Sequence, residues 1–157
     1  MPGVIRTRGA GVKGGSGPAA GGLRVLGVFL GVFLIFEGLG KWGWLGDSAA
    51  LGRQLQGWLR DAPPVSRWYL ENVAIPGVPV FARLVVLGEL AAGAALVTGF
   101  WTRAAAFAAF FMVLNFHVAS GRIFQYAFLT NGYGLPVLGG LLALAIGGKN
   151  LPWSAKG

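Results

Sequence analysis

The chain contains no cysteine, which excludes disulfides, thiolate metal sites, thioether-attached haem and electron transfer through a cysteine pair. Charge is also scarce. With 13 basic and five acidic side chains among 157 residues, the chain cannot coat a soluble globule of its size, which points to a bilayer. A single histidine excludes an all-histidine metal cage within one chain. Also missing are a Walker loop, a G-x-G-x-x-G after a strand, an H-E-x-x-H, and a nucleophilic serine or cysteine beside a base. Redox chemistry on this chain therefore requires a bound cofactor or a quinone, and catalysis by the chain alone is not expected.

What is present is apolar and small. Hydrophobic residues make up 55% of the chain, mean hydropathy is +0.65 and 28 residues are glycine, a composition suited to closely packed transmembrane helices. In a soluble domain a net charge of +8 would suggest nucleic acid. Here the basic residues stand at the ends and turns of apolar segments, so lipid headgroups and topology account for them and no nucleic-acid partner is expected.

Residues 1–22 are Gly-rich, carry Arg6, Arg8 and Lys13, and have no apolar stripe, so they read as a flexible basic tail. Residues 23–157 read as a membrane domain with spans over 23–45, 78–100, 104–120 and 130–148. The first run is too long for the hydrophobic region of a cleaved leader, so we expect it to be retained. The last span is the least regular, because Asn131-Gly132 interrupts its apolar run. Between the first two spans, the 46–77 loop holds two short amphipathic patterns: Leu51, Leu55, Trp58, Leu59, then Val65, Trp68, Tyr69, Val73. Neither can span; both read as interfacial helices. The expected fold is an all-α membrane protein, a four-transmembrane-helix bundle with interfacial helices in the first outer loop. Small-residue faces are expected at Gly27/Gly31, at Gly88/Ala92/Ala95/Gly99 and at Gly139/Ala143/Gly147.

Ionisable residues inside spans are costly and mark functional candidates. At ~1.5 Å per residue, Glu37 lies roughly 21 Å up the first span and His117 roughly 21 Å up the third, with Asn115 about 3 Å below it. Arg83 reaches a similar level and Glu89 sits near the midplane. Two readings stand side by side. Glu37, Lys41 and Arg83 can fasten the bundle through ion pairs, or Glu37, Arg83 and Glu89 can line a pocket for a quinone headgroup or small anion. Glu89 is expected to be neutral or paired with a cation, from Arg83 or from Lys41 of the first span. Asn115 and His117 are roughly 200° apart on a helix and cannot both face the bundle axis. His117 has ligation of a haem or chlorophyll as a minor reading beside a structural role.

Four stretches carry a family resemblance: EGLGKWGWL at Glu37 to Leu45, the aromatic-rich PPVSRWYLENVAIP, FARLVVLGELAAGAALVTGFWTR at Phe81 to Arg103, and FFMVLNFHVASG at Phe110 to Gly121. Together they resemble the DoxX/DoxD family, which includes the small membrane subunit of thiosulfate:quinone oxidoreductase. The resemblance runs from about Leu23 to Gly148. It implies four transmembrane helices, quinone as a possible ligand, and matching polar positions at Glu37, Lys41, Arg83, Glu89 and Asn115. It also favours Asn115 as the inward residue, which turns His117 outward as a partner or pigment contact. His117 and the basic tail depart from the family pattern and suggest fitting to a larger assembly. The functional expectation is an accessory subunit of a respiratory or photosynthetic redox complex with no covalently bound cofactor; the alternative is a quinone-interacting subunit of the thiosulfate-oxidising type. Expected partners are lipids and other membrane subunits.

Arg6, Arg8, Lys13, Arg24, Arg103, Lys149 and Lys156 all fall at one end of the four spans, whereas the 46–77 loop is nearly neutral. The positive-inside rule then predicts a bacterial inner-membrane protein with both termini cytoplasmic and the loop outside. Because the native chain has no cysteine, Arg53→Cys is a clean probe. In intact cells it should react with a membrane-impermeant maleimide; labelling only after permeabilisation would reverse the topology.

Overall fold

The computed structural model describes residues 17–123 and 125–155, and among these the regular elements are all helical. Helix α1 spans Pro18–Gly40, and a 3₁₀ turn, Trp42–Leu45, follows it. Two short helices, α2 (Ala49–Leu59) and α3 (Pro64–Tyr69), lead into a π turn at Leu70–Ala74. Helices α4 (Val78–Thr98) and α5 (Thr102–Ala119) form an antiparallel hairpin, and α6 (Tyr126–Thr130) and α7 (Leu135–Gly147) close the chain.

Helix α1 begins five residues before the apolar run suggested, because Pro18 occupies its first turn with φ already set and Ala19 and Ala20 follow. Residues 18–22 therefore belong to a span and not to the tail. Residues 1–16 lie outside the described residues, as do Phe124 and residues 156–157, so the flexible-tail expectation is not addressed by the fold.

Helices α1, α4 and α5 are long and apolar enough to cross a bilayer. Helix α7 is not. Its 13 residues rise about 20 Å at ~1.5 Å per residue, against a hydrocarbon core of ~30 Å. The expected fourth span, 130–148, is broken: the chain is extended at Asn131, and the helix resumes only at Leu135, with Pro136 in its first turn.

The tightest packing is between α1 and α4, at Gly31 and Gly93. A Cβ on Gly31 would stand 2.7 Å from the Gly93 carbonyl oxygen, and a Cβ on Gly93 would stand 2.7 Å from that of Gly31. Gly93 was not among the expected small-residue positions. Gly88 instead faces Met112 of α5, and on α7 the expected Gly147 meets Leu23 while Gly140, not Gly139, meets Leu30. Around this crossing Leu30, Leu34, Leu96, Ala106, Ala109, Leu141 and Leu144 make the main core.

A second core forms where the loop packs onto the span ends, built from Leu51, Leu55, Leu70, Ala74, Ala82 and Ala119. Helix α2 turns its expected stripe inward. Helix α3 does not: Val65 and Trp68 are exposed, while Ser66 and Leu70 are buried, and the Ser66 hydroxyl donates to the Val118 carbonyl at 2.6 Å. The outward Trp68 suits the lipid interface.

At the opposite end, the buried Arg24 side chain donates to the carbonyls of Leu96 (2.9 Å), Val97 (2.5 Å) and Trp153 (3.4 Å). The last turn of a helix leaves its carbonyls without partners, and here a cation supplied by α1 satisfies two of them. The same guanidinium ties down the C-terminal strap, which also bonds through Ala155 N–H to the Thr98 carbonyl. Gly99, at φ +76, ends α4 where a Cβ would run into Ser154. Arg24 is thus a clamp within the fold.

Gly93→Ala should force α1 and α4 apart and lower stability by about 1–3 kcal/mol. Arg24→Ala should cost about 1.5–3 kcal/mol through orphaned carbonyls. Thermal unfolding in detergent checks both, and Arg24→Lys, which keeps the charge but loses the fork, should recover only part of the loss.

Candidate functional site

The close approach of α1 to α4 brings three charged side chains of the span interior together. Lys41, just past the end of α1, places its ammonium nitrogen 2.7 Å from Glu37 Oε2 and 3.0 Å from both carboxylate oxygens of Glu89. It also donates to the Glu37 carbonyl at 3.1 Å. Glu89 is buried, and Gly38 lies directly over its Cβ. A buried carboxylate without a cation is strongly disfavoured; the partner is Lys41, supplied across the helix interface. The ammonium has three N–H groups and faces four acceptor oxygens, so its donors are fully engaged.

Arg83 is not part of this cluster. It is exposed and folds back to donate to the Pro79 carbonyl of its own helix. Six residues on α4 turn it away from Glu89, which corrects its expected place in a common polar pocket. Asn115 and His117 also exchange their expected places. Asn115 is exposed to the side, where its Oδ1 accepts from the Tyr69 hydroxyl at 2.6 Å. His117 lies on the stripe of Ala106, Phe110 and Val113, and that stripe is the one packed into the bundle. Its ring meets Phe128 edge-on at 4.7 Å between centroids, and its Nε2 is 3.0 Å from the Tyr133 carbonyl. A carbonyl only accepts, so Nε2 carries the proton, and in the neutral ring Nδ1 is an acceptor. His117 thus faces its own chain's interior, contrary to the expected outward contact with a partner or pigment.

A cavity of about 290 Å³ joins these groups. Its charged wall is Glu37, Lys41 and Glu89, and Phe33, Trp58, Phe116, Phe128 and Tyr133 supply aromatic surfaces. Gln54, Arg122 and Asn131 also line it and are exposed, so they mark its mouth near the loop end of the bundle. The chain break between α6 and α7 forms one side, where Asn131 Oδ1 accepts from the Tyr133 N–H at 2.7 Å and the His117 ring holds the Tyr133 carbonyl. A smaller hollow of about 30 Å³ lies beside Tyr69 and Asn115.

The aromatic lining was not singled out by sequence reasoning. Phenylalanines are common in spans, and nothing local distinguishes Phe33 or Phe116 from a lipid-facing residue. Arg122 did carry a signal, since it is a cation directly after the third span on the side expected to be poor in positive charge.

A family model described as DoxX matches residues 22–120, well over half of the chain. The match takes in Glu37, Lys41, Glu89 and His117 and stops short of α6 and α7. No curated protein and no solved structure matches the chain.

Removing the cation tests the electrostatic core of the site. Lys41→Met should destabilise the protein by about 3–5 kcal/mol, because Glu89 is left buried without a partner. The double variant Lys41→Met/Glu89→Gln should recover most of that loss. Melting temperatures in one detergent decide the matter: a double variant as unstable as the single one contradicts the pairing.

Proposed function

The chain belongs to the DoxX family, and from that membership together with the cavity we propose that it is a membrane subunit of a redox complex that holds a quinone headgroup. The observation that carries the reading is the meeting of a charged cluster and aromatic surfaces in one half-open cavity beside the span ends. A volume of about 290 Å³ sits at the small end of the ~300–1,000 Å³ usual for ligand pockets. That size favours a single planar ring over a haem or chlorophyll macrocycle.

The residues fit such a ring. Phe33, Trp58, Phe116 and Phe128 offer faces and edges for stacking, where aromatic pairs add ~0.5–1.5 kcal/mol beyond area burial. Glu37, His117, Trp58, Tyr133, Arg122 and Gln54 supply hydrogen-bonding atoms around it. When bound, a quinone supplies reversible two-electron, two-proton chemistry. The chain's part is to orient the ring, limit water and present carboxylate and imidazole groups. The electron donor or acceptor belongs to a partner subunit. In this reading the bundle crosses the bilayer four times, with α6, the break and α7 as the fourth crossing. The Arg24, Arg103 and Lys149 end is cytoplasmic and the loop end faces outward in a bacterial inner membrane.

A second reading is favoured by the engagement of Lys41: the cluster fastens α1 to α4, and the chain is an accessory subunit that stabilises a respiratory or photosynthetic complex without a ligand of its own. Mild-detergent purification separates the two. Extraction should yield quinone in proportion to protein, and Trp58→Ala together with Phe116→Ala should lower its retention about tenfold while co-purifying polypeptides stay bound. Partners without quinone support the accessory reading; a stable monomer with neither refutes both.

A further inference from the structure

We propose that the end of the bundle formed by the α4–α5 turn and the C-terminal strap binds an anionic phospholipid, with Arg103 and Lys149 on its phosphate and Trp101 and Trp153 beside its headgroup. This site lies at the opposite end of the molecule from the Glu37 cavity and is independent of what that cavity holds.

Packing assembles the site from distant parts of the chain. Arg103, in the first turn of α5, donates through Nε to the Ala145 carbonyl of α7 at 2.9 Å. A Cβ on Gly148, the residue before Lys149, would stand 3.0 Å from the Thr102 methyl carbon. The strap then returns to the turn: the Ala155 N–H donates to the Thr98 carbonyl, and the Trp153 carbonyl accepts from Arg24.

Charge at this end has one sign. The five acidic residues, Glu37, Asp47, Asp61, Glu71 and Glu89, all belong to other segments. Arg24 gives its hydrogens to carbonyls, which leave its charge uncompensated. Arg103 and Lys149 are exposed. Among the described residues neither pairs with a carboxylate, and the only bond of the Arg103 guanidinium is the one from Nε. Its two terminal nitrogens match two phosphate oxygens, and a nearby ammonium adds a point charge.

The backbone points to the same place. Among the described residues the non-glycine positions with positive φ are Trp101 (+46°), Asn150 (+54°) and Trp153 (+51°). Asparagine tolerates that region, whereas a bulky residue there is strained and persists only where its surroundings hold it. Burial is not what the two indoles gain, since they are 65% and 82% exposed. Trp101 stacks on Phe100 at 5.1 Å between centroids. Exposed indoles suit the headgroup level of a bilayer, where the N–H meets polar oxygens and the ring meets acyl chains. An apolar surface continues from the cations: Phe107, one turn along α5 from Arg103, and Leu142 and Ile146 of α7 are exposed. The occupant must therefore combine an anion with apolar chains, which describes a phospholipid and not a free phosphate or an acidic peptide.

The test is native mass spectrometry of the purified full chain in mild detergent, titrated with phosphatidylglycerol and phosphatidylcholine of identical acyl chains. Phosphatidylglycerol should bind about twentyfold more tightly, as two basic groups near an anionic headgroup predict. Arg103→Gln and Lys149→Gln should each weaken it about fivefold, and the double variant should lose the preference. Arg53→Gln, in the loop at the other end, should leave it unchanged. Trp101→Gly, which relaxes the left-handed φ, should keep or raise the melting temperature yet weaken phosphatidylglycerol about threefold. Equal affinity for the two lipids overturns the inference, as does a double variant that retains the preference or a Trp101→Gly protein that binds as tightly as the wild type. Displacement of the lipid by millimolar inorganic phosphate also overturns it, since the site would then be one for soluble anions.

Discussion

Backbone contact between α1 and α4 at Gly31 and Gly93 is the constraint on which the remaining geometry depends. With hydrogen in place of a side chain on both helices, the backbones approach until each glycine lies against the other's carbonyl oxygen. One turn of α4 before Gly93, Glu89 is thereby brought under Gly38, within reach of the lysine that ends α1. In a bilayer, neighbouring helices gain little from the hydrophobic effect, and close packing with interhelical hydrogen bonds holds them together instead. The two glycines supply the first, and the Lys41 bridge supplies the second.

The cavity follows from a failure of packing elsewhere. The interruption between α6 and α7 forms one side of it, where Asn131 and Tyr133 line the opening. Asn131 and Gly132, with Pro136 at the start of α7, stop the last helix short of a full crossing. The freed backbone turns toward the interior, and His117 and the Asn131 side chain satisfy its polar groups. His117 therefore supports the broken segment and also lines the cavity. At the far end, Arg24 does comparable work for the last turn of α4 and holds the C-terminal strap in place. In both places a polar side chain compensates for helix ends that the bilayer cannot solvate.

Much of the fold was legible in the sequence because its determinants are one-dimensional. Scarce charge and apolar runs with basic ends dictate membrane helices, and Pro79 opens the second of them. That Glu89 would be neutral or paired with a cation also followed from its depth alone. Which cation, which face of α5 turns inward and where the last span breaks were settled by tertiary packing. Arg83 and Lys41 were equivalent candidates until Gly31 met Gly93, and the inward place that the resemblance gave to Asn115 is reversed by burial of the Ala106 and Ala109 stripe, which turns His117 in. Periodicity assigns residues to a common face of a helix. Only contact with other helices decides which face is inside, because that choice depends on complementary surfaces far apart in the chain.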